Sequence, residues 1–387
     1  MIATLWPLST DAAKASQNPL AMIRKATADD VSGLVHIENR AFVTDRISRR
    51  SFRYLMSKAN AATLVAVEDS STICGYAIIL FNRGTSLARL YSIAVDPDCH
   101  RQRIGSELLA ASEAIARRHA AAYMRLEVRA DAEKIQAFYS AHGFRKFSMQ
   151  PHYYEDDVAA VRMEKSLALP PDPSLMRVPY YAQTLDFTCG PAAIMMAMRA
   201  LDPTAPLDQN AEIRLWREST TVFMTSGLGG CSPEGLALAA HRRGFRVELF
   251  LGDRGVMFID SVRSPQKREV IRLVQKDFRE QLLASGVRVA FRPLSLDAMR
   301  GRCDEGCVPV VLISSYRFDR EKQPHWVVVI GFDENYVYLH DPNVDSGLDK
   351  TPTDCMQIPV PQGDFLKMAR YGKAQQQAAL VIARDSG

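Results

Sequence analysis

The sequence predicts a mixed α/β protein, α+β in character and built as two units. Three observations carry this. The chain has 387 residues, more than one ordinary domain needs. Apolar runs of strand period alternate with amphipathic runs of helix period along most of its length. One stretch breaks the alternation: KSLALPPDPSLMR (165–177) places Pro170, Pro171 and Pro173 within four positions. The expected division is a flexible extension over 1–21, a first unit over 22–167, a linker over 168–177 and a second unit over 178–387.

In the first unit a strand is expected at 23–27, then a helix at 29–41 with Val31, Leu34, Val35 and Ile37 on one side, and a shorter helix at 48–58. TLVAVED and TICGYAIILF read as a hairpin around Asp69-Ser70-Ser71. LARLYSIAV (87–95) is a further strand, and 104–121 an amphipathic helix. MRLEVRA is a strand, EKIQAFYSAHG a helix stopped by Gly143, and FRKFSM and AAVRMEKSL are the last strands. In the second unit helices are expected at 190–201, 233–243 and 266–285, with strands FRVELFL, VRVAFR, VPVVLIS, HWVVVIGFD and YVYLHDP. The last three are rich in β-branched residues, as in an antiparallel sheet packed on helices.

Composition narrows the function classes. Hydrophobic residues at 47% and charged residues at 24% fit a soluble globular protein. A net charge of +4 with no basic stripe argues against nucleic acid as a partner. No apolar run reaches the roughly 18–20 residues that span a bilayer. The N-terminus lacks a charged n-region and a long apolar core, so a cytoplasmic location is expected. The seven cysteines are scattered and odd in number, which suits a reducing compartment. Cys303 and Cys307 have no second Cys/His pair at zinc-finger spacing, so they read as loop thiols before a strand and no metal site is expected.

The chemistry concentrates in two stretches. In the second unit Gln183 stands six positions before Cys189, which is followed by Gly190-Pro191 and a helix-favouring run. A thiol at a helix start meets unpaired N–H groups and the positive end of the dipole, which favour the nucleophilic thiolate. His325 heads a downstream strand and serves as the base; Asp341, sixteen positions on, ends the next strand and orients the His325 ring. Gln183 and the Cys189 backbone N–H supply donors to an oxyanion. Met195, Met196 and Met198 read as core.

This set resembles the C39 peptidase family, papain-like cysteine peptidases best known for removing leader peptides after double-glycine sites in bacteriocin precursors. The resemblance spans roughly residues 176–385 and implies a helix packed on an antiparallel sheet. Residues 245–305 are long compared with the compact family core, and no ATP-transporter segment follows, so the double-glycine rule carries over weakly.

In the first unit Ile-Ala-Val-Asp-Pro (93–97) ends a strand, a polar loop follows, and a helix begins near Ile104-Gly105-Ser106. Such an arrangement presents N–H groups to an anion. The wider pattern (IAVDP, RQ-x-IG, LEVRA, FYSAHGF, HYYEDD) resembles the GNAT acetyltransferases, and within them the ribosomal-protein alanine N-acetyltransferases, over roughly 22–167. The resemblance implies acetyl-CoA as cofactor. Ile93, Ala94 and Val95 would hold the pantetheine arm; Arg101, Gln102, Arg103, Ile104, Gly105 and Ser106 the pyrophosphate. Glu127 would be the general base and Tyr139 the acid that protonates the leaving thiolate. Three positions depart from the family pattern: His100 for Gln or Arg, Arg103 for the first Gly, and Ala132 for an Asn.

The combined expectation is a bifunctional enzyme acting on a peptide or protein: a Cys-His-Asp peptidase joined to an acetyl-CoA-dependent N-acetyltransferase. The alternative is an active peptidase whose degenerate acetyltransferase domain serves as a binding module. A non-catalytic peptide-binding protein and other Cys-His-Asp acyl transfers, a transglutaminase or amidase, remain further readings.

Overall fold

A computed structural model describes residues 22–68, 72–99, 103–167, 175–221, 223–224, 227–344 and 350–385. The expected extension, the Asp69-Ser70-Ser71 turn, residues 100–102 and most of the expected linker lie outside them. The chain divides into two compact units, Met1–Pro170 and Pro171–Gly387.

The first unit runs β1 (Met22–Lys25), α1 (Val31–Ala41), α2 (Arg49–Ser57), β2 (Ala61–Glu68), β3 (Thr72–Phe81), β4 (Leu87–Val95), α3 (Ile104–Arg118), β5 (Tyr123–Arg129), α4 (Glu133–Ala141), β6 (Arg145–Gln150) and β7 (Ala160–Ser166). Its seven strands form one sheet in the order β1-β2-β3-β4-β5-β7-β6. All neighbours are antiparallel except β4 and β5. The period-two alternation of side chains divides the core between the two faces. Leu64, Ala66, Ala77 and Ile79 pack with Leu108 and Leu109 of α3. Val65, Val67, Tyr76 and Ile78 pack with Leu34, Ile37 and Phe52 of α1 and α2. Because both faces are covered, β2 and β3 are buried throughout their middles and read as continuous apolar runs.

The second unit runs α5 (Cys189–Leu201), α6 (Gln209–Ser219), β8 (Phe223–Met224), β9 (Gly227–Leu228), α7 (Pro233–His241), β10 (Phe245–Leu251), α8 (Pro265–Ser285), β11 (Arg288–Ala290), α9 (Leu296–Asp304), β12 (Val308–Ser314), α10 (Tyr316–Asp319), β13 (Pro324–Phe332), β14 (Tyr336–His340), α11 (Pro352–Cys355), β15 (Ile358–Pro361), α12 (Gln362–Met368) and β16 (Ala378–Arg384). Its large sheet has the order β11-β10-β16-β12-β13-β14-β15. Only β10 and β11 are parallel. Val311, Ile313, Val327, Val329, Val337 and Leu339 face Met299 of α9 and Phe365 of α12. The alternate residues Val310, Leu312, Trp326 and Val328 are buried as well. The largely apolar α5 has Ala192 to Ala197 fully buried, including Met195 and Met196, with Arg199 in its last turn.

The expected antiparallel trio β12–β13–β14 is present, with its turn at Asp333, whose carboxylate accepts from the Asn335 and Tyr336 amides at 2.7 and 2.6 Å. The reading of Cys303 is corrected. It is not a loop thiol but a buried residue of α9, where Ser295 caps the helix; Cys307 directly precedes β12 as expected. No helix among the described residues is long and apolar enough to cross a membrane.

Candidate active sites in the two units

In the second unit Cys189 is the first residue of α5, so its amide has no acceptor within the helix. The first turn of α5 is wedged into the core. A Cβ at Gly190 would lie 3.0 Å from Leu236, 3.2 Å from the Trp326 ring and 3.3 Å from Cys231, so any larger residue beside Cys189 would push these neighbours aside. Trp326 follows His325 on β13, and the same packing carries α5 and β13 into contact. His325 Nε2 lies 2.6 Å from Asp341 Oδ1, and both side chains are buried. The Cys189 side chain acts on the same ring and favours its protonated form. With Nε2 held by Asp341, Nδ1 is the nitrogen left for sulfur.

Burial works against charge on His325, but the Asp341 carboxylate and Cys189 outweigh it and raise the imidazole to about 10. Burial likewise opposes charge on Asp341, yet His325, Lys350 and the Asn343 amide together hold its carboxyl below the usual range. The Asn343 amide donates to Asp341 Oδ1 at 2.8 Å, the Asp341 amide to the Cys355 carbonyl at 2.8 Å, and Lys350 Nζ stands 3.9 Å from Oδ2. Gln183 is tied to the same wall, its amide N–H donating to the Pro342 carbonyl at 2.8 Å. Its side-chain Nε2 donates to the Leu185 carbonyl at 3.0 Å, which engages one of two hydrogens; its Oε1 is buried without a hydrogen-bond partner. The structure thus brings Cys189, His325 and Asp341 together and seats Gln183 on the segment that follows Asp341.

In the first unit the parallel ladder between β4 and β5 runs only from Leu87↔Tyr123 to Arg89↔Arg125. Both strands continue, β4 through a bulge opposite Ile78/Ile79, so beyond Arg89 the backbone of β4 on that side is not engaged by β5. Ile93, Ala94 and Val95 lie on this stretch. Arg103 occupies the N-cap position of α3 and is exposed, while Ile104 turns its side chain into the core and offers only its backbone to an anion. Gly105 and Ser106 complete the first turn, Ser106 Oγ lying 3.0 Å from His142 Nε2. Arg101 and Gln102 are outside the described residues. Tyr139, in α4, is fully buried and its hydroxyl has no hydrogen-bond partner; burial pushes its phenol well up, so it stays protonated. Among the described residues, a strand edge that β5 leaves unpaired, the first turn of α3 and a phenol without a hydrogen-bond partner together fit a thioester cofactor with a phosphate tail. Glu127 is also buried, with Arg89 Nε at 3.0 Å, and Arg89 reaches on to the Tyr153 hydroxyl at 3.1 Å.

Family models match both units. The model of the peptidase C39-like family matches residues 178–383, more than half of the 387. The chain belongs to this family. An acetyltransferase (GNAT) domain matches residues 24–167. The chain is similar to the solved ribosomal-protein-S18-alanine N-acetyltransferase of Escherichia coli (25% identity, TM-score 0.35, covering 40% of this chain and 97% of that one). It is similar also to Ard1 of Thermoplasma volcanium (24%, TM-score 0.35, 39% and 100%) and to Chaetomium thermophilum Naa20 in complex with a bisubstrate analogue (22%, TM-score 0.34, 38% and 86%). No curated protein matches.

One residue of the C39-like domain escapes sequence reasoning. Glu212 of α6 is fully buried and accepts from the Tyr181 hydroxyl at 2.9 Å, the Thr184 amide at 2.9 Å, the Thr184 hydroxyl at 2.7 Å and the Thr188 hydroxyl. It therefore fixes the whole loop between Gln183 and Cys189. The only trace in the sequence is an acidic residue in the first turn of a helix capped by Asp208.

Proposed function

We propose that this protein is a peptide-processing enzyme with two activities, a thiol peptidase in its C39-like domain and an N-acetyltransferase in its GNAT domain. The observation that carries the first is the 2.6 Å contact of His325 with Asp341 beside a cysteine that opens a helix. Cys189 Sγ attacks a peptide carbonyl carbon while His325 Nδ1 holds the thiol proton. The carbonyl oxygen becomes an oxyanion facing the Cys189 amide and Gln183 Nε2. His325 gives its proton to the leaving amine as the C–N bond breaks, and water, deprotonated by His325, then releases the acid from the thioester.

For the second activity, acetyl-CoA supplies an acetyl thioester. The β4 backbone at Ile93–Val95 would hold its pantetheine arm, and the first turn of α3 its phosphates. Glu127 would accept the amine proton, directly or through water, and Tyr139 would donate to the departing sulfur. The acceptor is a peptide or protein amine, and the setting is cytoplasmic peptide maturation.

Two measurements test the pair. Iodoacetamide at pH 6 labels Cys189 much faster than the other six cysteines, and equal rates would sink the peptidase reading. Calorimetry with acetyl-CoA gives micromolar binding. The Arg89–Glu127 pair and the exposed Arg103 favour a second reading, a GNAT domain that has lost transfer and only binds peptide. Micromolar acetyl-CoA binding with turnover on a peptide amine excludes it.

A further inference from the structure

Two thiols and a carboxylate of the first unit converge at a place that neither proposed activity uses. Glu68 ends β2, Cys74 lies in β3, and Cys99 lies in the turn after β4. Backbone bonds set that turn over β3: the Asp96 amide donates to the Cys74 carbonyl at 2.7 Å and the Cys99 amide to the Asp96 carbonyl at 3.0 Å. The Asp98 amide is held by Asp96 Oδ1 at 2.9 Å. Cys99 is thereby fixed beside Cys74 rather than left on a free loop.

The three ligand atoms all lie within 4.8 Å of one another. Cys74 Sγ stands 3.5 Å from Glu68 Oε2. A tetrahedral zinc ion with Zn–S about 2.3 Å and Zn–O about 2.0 Å holds neighbouring ligand atoms roughly 3.5–3.8 Å apart. The Cys74–Glu68 edge already has that length, and the others need to close by about 1.3 Å at most. Cys74 is fully buried while Glu68 and Cys99 are partly exposed, which gives an ion an entry path and an open fourth position. Asp96 and Asp98 add negative charge near Cys99, balanced in part by Arg40 at 3.0 and 2.7 Å. Two sulfur donors with one carboxylate select a thiophilic ion over magnesium or calcium.

We propose that Glu68, Cys74 and Cys99 bind zinc or a similar thiophilic divalent cation, clamping the turn after β4 onto β2 and β3. Binding expels one proton from each thiol and leaves two thiolates and a carboxylate around the dication, a net charge of −1. The fourth position takes water.

Cobalt(II) serves as the spectroscopic probe. The reduced full-length chain in a Cys189→Ala background, titrated without oxygen, is expected to take up one cobalt with thiolate-to-metal charge-transfer absorption and tetrahedral visible bands, displaced by zinc. Cys99→Ser and Glu68→Gln each weaken binding by more than about tenfold, with circular dichroism showing that both remain folded. Cys303→Ser leaves the titration unchanged. Cys74 is fully buried, so the two partly exposed positions decide the matter should Cys74→Ser not fold. Absence of the charge-transfer band overturns the proposal, as does a band that survives Cys99→Ser. So does a reduced chain that ignores cobalt yet forms a Cys74–Cys99 disulfide with hydrogen peroxide; the pair would then be a redox couple.

Discussion

His325 feels two opposed forces of different origin. Burial favours the neutral ring, and the Asp341 carboxylate and Cys189 favour the cation. Asp341→Asn removes the larger charge but keeps the shape, so burial then prevails and the ring loses its proton more readily. The expected result is a fall in peptide cleavage on the order of 10²–10⁴-fold, with iodoacetamide labelling of Cys189 losing its advantage at pH 6. The same forces act on stability. A folded-state value near 10 against an unfolded value of about 6.5 means that His325 stabilises the fold fully below about 6.5. That contribution is lost as pH rises through 10. Urea midpoints of the wild type should therefore drop between pH 7 and 10.5 more than those of His325→Gln; parallel curves would contradict the assignment. Tyr139 poses the reverse case. Its hydroxyl is buried and unpartnered, so Tyr139→Phe should leave the melting temperature unchanged or slightly higher. Acetyl-CoA affinity should persist while acetyl transfer slows, a split that a purely structural tyrosine would not give.

At the scale of elements, Cys189 is positioned by a loop, a helix and a strand through contacts at Gly190 and Glu212. Glu212→Gln presents an amide N–H₂ to a ring of donors that a carboxylate satisfies, and should cost about 1–3 kcal/mol. Gly190→Ala forces Leu236, Trp326 or Cys231 to move and should cost a similar amount, about 1–3 kcal/mol. Both are read from urea unfolding by fluorescence, since Trp216 and Trp326, the two tryptophans among the described residues, lie in the second unit. Both variants should also slow iodoacetamide labelling of Cys189. Cys189, His325 and Asp341 were legible because each sits at an element boundary that Gly, Pro or a β-branched run marks, and Gln183 through its place six positions before Cys189. Glu212 was not, because α6 buries little apolar surface and its partners, Tyr181 to Thr188, are distant in sequence. The strand β16 was missed for a related reason. AALVIAR is short and alanine-rich, and its partners β10 and β12 lie far upstream, so nothing local announces that it occupies the middle of the sheet. Cys303 was misplaced because α9 is largely polar, with only Met299 and Cys303 buried.

At the scale of the whole molecule, the proposed chemistry of one domain would produce what that of the other consumes. In the proposed reaction, thioester formation at Cys189 would release a free amine, the new N-terminus of the downstream peptide; acetyl transfer needs a neutral amine as nucleophile. An enzyme that joins the two steps should acetylate a precursor only after cutting it. This predicts different consequences for one substitution on two substrates. With a peptide whose amine is already free, Cys189→Ala should acetylate at the wild-type rate. With the uncut precursor, the same variant should yield no acetylated downstream product, and addition of a separately purified Tyr139→Phe protein, able to cut but not to acetylate efficiently, should restore it. Mass spectrometry of the downstream fragment distinguishes the cases by the 42 Da that an acetyl group adds, about the mass of C₂H₂O. Undiminished acetylation of the precursor by Cys189→Ala would separate the two activities. The GNAT domain would then act on amines that Cys189 does not generate.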